Sequence, residues 1–112
     1  MNVSDLVPQP QGCESFLRNR CRFVPETSGC YALTTFNKVV LYVGKATSLR
    51  SRMNNHLDDT EKTGPTEKGR AVLFYWLETA DIDTVERTWM NIHTQHEGRL
   101  PLLNKVYSPV SV

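Results

Sequence analysis

Gly29-Cys30-Tyr31-Ala32-Leu33-Thr34-Thr35-Phe36, then Asn37-Lys38, then Val39-Val40-Leu41-Tyr42-Val43-Gly44 reads as strand, turn, strand. Both runs are rich in β-branched and aromatic residues, and Asn37 between them readily takes the positive φ that a tight hairpin requires. A two-residue loop sets Phe36 opposite Val39, Leu33 opposite Tyr42 and Tyr31 opposite Gly44. Side chains alternate along a strand, so Tyr31, Leu33 and Tyr42 share one sheet face, the two phenols diagonal to each other at roughly 7 Å between Cα atoms. They converge beside Gly44, which has no side chain to block a ligand.

Working outward, residues 46–57 are helical by pattern. Ser48 or Thr47 is a suitable N-cap, and Leu49, Met53 and Leu57 recur at four-residue spacing as a buried stripe. Arg52 and His56 flank that stripe and, being four apart, stack on one side of the helix. Lys45 sits between Gly44 and the helix start, where backbone N–H groups and the helix dipole favour an anion such as phosphate. Ala71-Val72-Leu73-Phe74-Tyr75-Trp76-Leu77 is apolar almost throughout and reads as a third strand in the sheet interior. Asp83 or Thr84 caps a last long helix reaching about Glu97, with Val85, Trp89 and Ile92 as its core stripe. Gly98 and Pro101 end it, and Leu102-Leu103-Asn104 packs back.

The flanks are simpler. Residues 1–11, with Pro8 and Pro10, read as an irregular arm, and 14–23 as a short helix with Phe16, Leu17 and Cys21 on its apolar side. Residues 58–69 form a polar loop whose length suggests function or mobility. The expected fold is α+β, a small three-stranded antiparallel sheet flanked by helices. Its expected organisation is an arm and short helix over 1–24 and a compact unit over 25–112, together one domain.

With 112 residues and 39% hydrophobic content the chain buries one modest core. No apolar run approaches the roughly 20 residues that span a bilayer, and the start lacks a basic region followed by an apolar stretch, so a cytoplasmic protein without membrane contact is expected. Three cysteines without CxxC spacing speak against a disulfide scaffold or a zinc site; each is expected to be a small buried hydrophobe. The formal net charge is only +1, but Lys38, Lys45, Arg50, Arg52, Lys62, Lys68 and Arg70 cluster centrally, whereas Asp81, Asp83, Glu86 and Glu97 come later. That distribution allows a cationic face with an embedded acidic spot.

Gly29-Cys30-Tyr31, Tyr42-Val43-Gly44-Lys45-Ala46 and Leu49-Arg50-Ser51-Arg52 together resemble the GIY-YIG nuclease superfamily, especially the N-terminal incision domain of the bacterial excision-repair nuclease and the phage and intron homing endonucleases. The resemblance spans about 25–104, with Cys30 and Val43 standing where the family usually has isoleucine. It implies a site made of Tyr31, Tyr42, Gly44, Arg52, a helix-borne Glu86 and Asn104. Lys45 matches a lysine of the repair enzymes, and His56 a histidine of the homing enzymes. The stretch from Glu86 to Asn104 is longer than in the repair domain and carries the insert-like Thr94-Gln95-His96-Glu97-Gly98.

The implied reaction is metal-dependent hydrolysis of a nucleic-acid phosphodiester, with DNA the favoured substrate. Tyr31 would take a proton from the attacking water, Glu86 would hold Mg²⁺ or Mn²⁺, Arg52 would neutralise phosphate charge, and Tyr42 would orient water or phosphate, with His56 nearby. Gly44, Lys45, Arg50 and Asn104 would bind substrate. A phenol ordinarily titrates near 10, so Tyr31 can act as a base only if cations lower that value, and Lys45 and Arg52 are the available ones. A chain this short leaves little room for a recognition domain, so a homo-oligomer or a separate specificity partner is expected. Two alternatives use the same fold without chemistry, a nucleic-acid-binding module and a protein-interaction module. Each residue also has a structural reading: the tyrosines as sheet packing residues, Arg52 as a partner of Glu86, and Asn104 as a brace for the backbone near the site, the role a neutral amide fits better than chemistry.

Overall fold

The computed structural model describes residues 1–104. Its centre is a four-stranded antiparallel sheet in the order β1-β4-β2-β3, formed by β1 (Gly12–Ser15), β2 (Gly29–Thr34), β3 (Val40–Ala46) and β4 (Leu73–Glu78). Helices α1 (Leu49–Leu57) and α2 (Thr60–Thr63) follow β3, and α3 (Ile82–Glu97) follows β4. On one face, Tyr31, Leu33 and Phe74 pack with Leu49 and Met53 of α1. On the other, Cys30, Ala32, Val43 and Leu77 pack with Trp89 and Met90 of α3. The central strand β2 is buried at every position, as a strand covered on both faces must be. Among the described residues no helix is long and apolar enough to cross a membrane.

The α+β class and an antiparallel sheet flanked by helices are as expected, but the sheet has a fourth strand. The expected short helix over 14–23 is instead strand β1 followed by a 3-10 turn at Arg18–Phe23. Gly12-Cys13-Glu14-Ser15 carries no strand signal of its own. The edge of β4 recruits it, with Gln11 N–H donating to the Trp76 carbonyl (2.7 Å) and Phe16 N–H to that of Val72 (2.9 Å) at the two ends of the ladder. Gly12 is needed there because a Cβ would lie 2.2 Å from the Trp76 indole. The arm before it is also folded in. Val3 and Leu6 are buried against the α3 face, and Asn2 bridges Val39. Cys21 and Cys30 are buried as expected, whereas Cys13 is exposed; all three are free thiols.

The hairpin differs from its two-residue expectation and still reaches the same register. Thr35 N–H donates to the Val39 carbonyl and Lys38 N–H to that of Thr35, so the loop is Phe36-Asn37-Lys38. The positive φ falls on Lys38 (69°), not on Asn37. The extra loop residue is compensated by a bulge in β3, where Leu33 pairs Tyr42 but Thr34 pairs Val40. One insertion cancels the other, and Tyr31 sits opposite Gly44 as the alternation requires.

Helix α1 is capped by Ser48, which accepts from Ser51 N–H (3.3 Å). Helix α3 starts at Ile82, earlier than Asp83 or Thr84, and its buried stripe is Glu86, Trp89, Met90 and His93, with Val85 and Ile92 only half-buried. An apolar-only reading misses this stripe because two of its members are polar and hold partners: Lys45 for Glu86, and the Arg99 carbonyl for His93 Nδ1 (2.8 Å). The insert-like Thr94-Gln95-His96-Glu97 prolongs α3, and Gly98 (φ 75°) stops it in the left-handed conformation. The polar loop 58–69 contains α2 and a tight turn bridging Thr66 and Gly69.

Candidate active site

Tyr31 is fully buried, its ring stacked on Phe74 at 5.1 Å between centroids, and its Oη lies 2.5 Å from His56 Nε2. Tyr42 completes a three-ring cluster, 5.9 Å from Tyr31 and edge-on to His56 at 5.2 Å. The expected convergence of the phenols is present, with a different reason for Gly44. A Cβ there would fall 2.5 Å from Tyr31 Oη and 2.9 Å from Tyr42 Cε2. Tyr31's own hydroxyl end occupies the space that was assigned to a ligand.

Burial governs the electrostatics of this cluster. It raises the Tyr31 phenol well above 10, and Tyr42 adds to the rise while Arg52 opposes it. Tyr42 is raised as well, chiefly by burial. The expectation that neighbouring cations make Tyr31 acidic is therefore overturned, because desolvation of the phenolate outweighs Arg52. Lys45 is not aimed at Tyr31 at all. Burial, helped by Lys62 and Arg52, pushes His56 down to about 4, so the imidazole is neutral at pH 7 and one ring nitrogen can accept the Tyr31 proton.

Alternation sends Lys45 to the opposite face. Its Nζ lies 2.6 Å from Asp83 Oδ1 and 3.8 Å from Glu86 Oε1, and Glu86 is buried. The two faces meet at the outer edge of β3. Arg52 Nη1 donates to the Lys45 carbonyl (3.0 Å), and the Asn104 carboxamide accepts from Val43 N–H and donates to its carbonyl, both at 2.9 Å. Leu103 N–H donates to the Leu41 carbonyl (2.8 Å). Asn104 thus does the work of a neighbouring strand, sealing an edge that would otherwise offer unpaired backbone. The Glu86 charge reaches across that edge, contributing to the rise of Tyr42.

Two expected placements are not found. The start of α1 is no phosphate seat, since Leu49 N–H donates to the Thr27 carbonyl and Arg50 N–H to that of Pro25, both at 3.0 Å. Arg50, expected among substrate-binding residues, is spent on the connection into β2. Its guanidinium donates to the Val24 and Arg22 carbonyls and pairs with Glu26, away from the phenols. Conversely, Lys62 went unnoticed as a site residue. Its ammonium lies 4.8 Å from the Tyr42 ring centroid, in cation–π range, and pairs with Asp59. The sequence signals for it are its place in the central cationic cluster and the length of the 58–69 loop.

A hairpin presenting two phenols around a glycine, with an arginine and histidine one helix turn apart beside them, defines a GIY-YIG nuclease fold. The family model for the UvrC-like GIY-YIG domain matches residues 27–86, more than half of the chain, and the chain belongs to that family. It is 27% identical over 67 residues to UvrABC system protein C of Lactobacillus delbrueckii subsp. bulgaricus, covering 60% of this chain and 11% of that protein. It is 42% identical over 40 residues to the protein of the same name from Borrelia hermsii, 36% of this chain and 7% of the other, and 52% identical over 33 residues to that of Borreliella burgdorferi, 30% and 6%. The chain thus spans about a tenth or less of the length of these relatives.

Proposed function

We propose that this protein is a metal-dependent endonuclease that hydrolyses nucleic-acid phosphodiesters, DNA foremost. The observation that carries the reading is the 2.5 Å contact of Tyr31 Oη with a neutral, acceptor-capable His56, next to Tyr42 and Arg52. As water attacks phosphorus, its proton passes to Tyr31 Oη while the phenolic proton passes to His56 Nε2. Tyr31 therefore never bears the full anionic charge that its burial penalises, and the imidazolium formed at His56, which burial also disfavours, is offset by the negative charge developing on the phosphate. Arg52 offsets phosphate charge, and Tyr42 orients the water.

The donor set suits Mg²⁺ or Mn²⁺. Among the described residues no three His, Cys, Asp or Glu side chains converge, and Mg²⁺ accepts one carboxylate supplemented by waters and substrate oxygens. Glu86 would hold it, and the ion would supply charge stabilisation at the leaving 3′ oxygen. UvrABC system protein C is the name carried by the relatives, and a nucleic-acid substrate and a cytoplasmic setting are consistent with that kinship. A homo-oligomer or a separate specificity partner would enlarge the contact surface.

One observation favours a second reading, a non-catalytic nucleic-acid-binding module: Tyr31 has no exposed surface, so water reaches it only if the packing around it opens. The deciding experiment incubates labelled linear, nicked, branched and single-stranded DNA and RNA with the protein and Mg²⁺ or Mn²⁺. Cleavage abolished by a chelator and restored by metal is expected. Tight binding with no cleavage in any metal would select the module instead.

A further inference from the structure

On the side of the sheet that carries the phenol cluster lies an open cavity of about 450 Å³ walled by Phe16, Leu57, Val72 and the hairpin-tip Phe36, with Ser15, Thr63 and Arg70 as polar members. Its volume is within the roughly 300–1,000 Å³ of small-ligand sites. Phe36 is 81% exposed and Val72 is exposed as well, so apolar surface stands in water at the mouth. Two of its lining residues adjoin candidate-site residues in the chain. Leu57 follows His56, and Thr63 follows Lys62, whose ammonium rests on the Tyr42 ring.

We infer that this cavity receives an unpaired nucleobase of the substrate strand, stacked on Phe36, with Arg70 on the adjoining phosphate. The inference rests on the nucleic-acid reading above and narrows it to substrates with single-stranded or extruded nucleotides. Three features favour a base over an apolar protein segment. An isolated exposed aromatic ring is the stacking platform that single-strand binders use. Arg70 is exposed and enters no salt bridge among the described residues, while Lys68, two residues before it, is paired with Glu97, and Arg18, next to the lining residue Leu17, is paired with Asp58. The Arg70 guanidinium supplies donors that a base edge or a phosphate needs and an apolar segment would leave unmatched, and the Thr63 hydroxyl, which donates to the Asp59 carbonyl (3.2 Å), keeps its acceptor side.

The test compares a hairpin duplex bearing a single-stranded overhang with 2-aminopurine against a blunt, fully paired duplex, by anisotropy with EDTA present so that nothing is cleaved. Phe36→Ala is expected to weaken overhang binding about 5- to 100-fold, the contribution of one stacked base, and to leave the blunt duplex unchanged. Phe36→Trp should restore binding and quench 2-aminopurine, and Arg70→Ala should weaken the overhang complex. Equal losses on both substrates, or none, overturn the inference. So does a Phe36-dependent dimer in sedimentation with nucleic-acid binding unaltered, which would make the face a contact between copies. The same substrates with Mg²⁺ separate the two readings. Cleavage indifferent to Phe36 removes the base site and keeps the nuclease, whereas Phe36-dependent overhang binding without cleavage does the reverse.

Discussion

The two faces of strand β3 solve opposite problems with adjacent residues. Tyr42 and Gly44 face α1, where Tyr31, Tyr42 and His56 are all held neutral by burial. Lys45, the next residue, faces α3, where its ammonium is flanked by Asp83 and Glu86. One face stores protons and the other stores charge, and only the thickness of a strand separates them. A sheet edge can keep the two apart in the resting protein and still bring both to one phosphodiester, because a strand's period of two alternates faces at each residue.

The largest expected effect tests the charged face. Glu86→Gln keeps the shape and removes the anion, so cleavage should fall by about 10³-fold, the upper end for a lost electrostatic group at a reacting centre, with a native circular dichroism spectrum. Undiminished turnover in Glu86→Gln would reduce that face to a structural ion network.

Next comes the neutral face. Tyr31→Phe retains the stack on Phe74 and deletes only the proton carrier, so single-turnover cleavage should fall about 10²-fold. The buried His56 nitrogen left behind should cost about 1 kcal/mol or somewhat more in urea denaturation. A stability loss of that size with unchanged cleavage would show the phenol to be packing.

The neutral face also predicts a pH dependence, larger than any contribution His93 makes on the α3 side. The His56 imidazole titrates at about 4 in the folded protein against 6.5 ordinarily, so the unfolded chain binds more protons between those values. Stability should therefore be full above about pH 6.5 and decline as the pH falls through about 4, by up to about 3 kcal/mol. Chemical denaturation of wild type and His56→Gln from pH 7.5 to 4 reads it out. The variant should lose most of the slope, keeping the smaller part from His93, which burial also lowers. Parallel pH profiles in the two proteins would mean that His56 is not held neutral.

The smallest effect belongs to Asp83. Its pair with Lys45 is partly exposed, so Asp83→Asn should change stability by no more than about 1 kcal/mol. Cleavage should drop less than about tenfold, through a less fixed Lys45. A collapse as deep as that of Glu86→Gln would promote Asp83 from positioning Lys45 to holding the metal.

Much of this was legible beforehand, for identifiable reasons. Tyr31, Tyr42, Gly44, Arg52 and His56 lie within 26 residues of one hairpin and helix, where periods of 2 and 3.6 fix which side chains meet. The register survived a wrong loop length because the β3 bulge absorbed the extra residue. Alternation already puts Lys45 on the face opposite Tyr42, but charge and spacing do not say which carboxylates Lys45, or which carbonyls Arg50, will find. Strand β1 was missed because nothing in Gly12-Cys13-Glu14-Ser15 prefers a strand until the edge of β4 is offered to it.

The sequence by itself determined the hairpin, the pairing of Tyr31 with Gly44, the capped helix that carries Arg52 and His56, and membership of the family, all of which depend on neighbours in the chain. Only the tertiary structure decided the protonation of the phenols and imidazole, the use of Asn104 as a surrogate strand 61 residues from Val43, and the cavity beneath Phe36. Those depend on what excludes water from a group and on what fills the space beside it. Burial and packing arise from segments distant in sequence, so no local pattern encodes them.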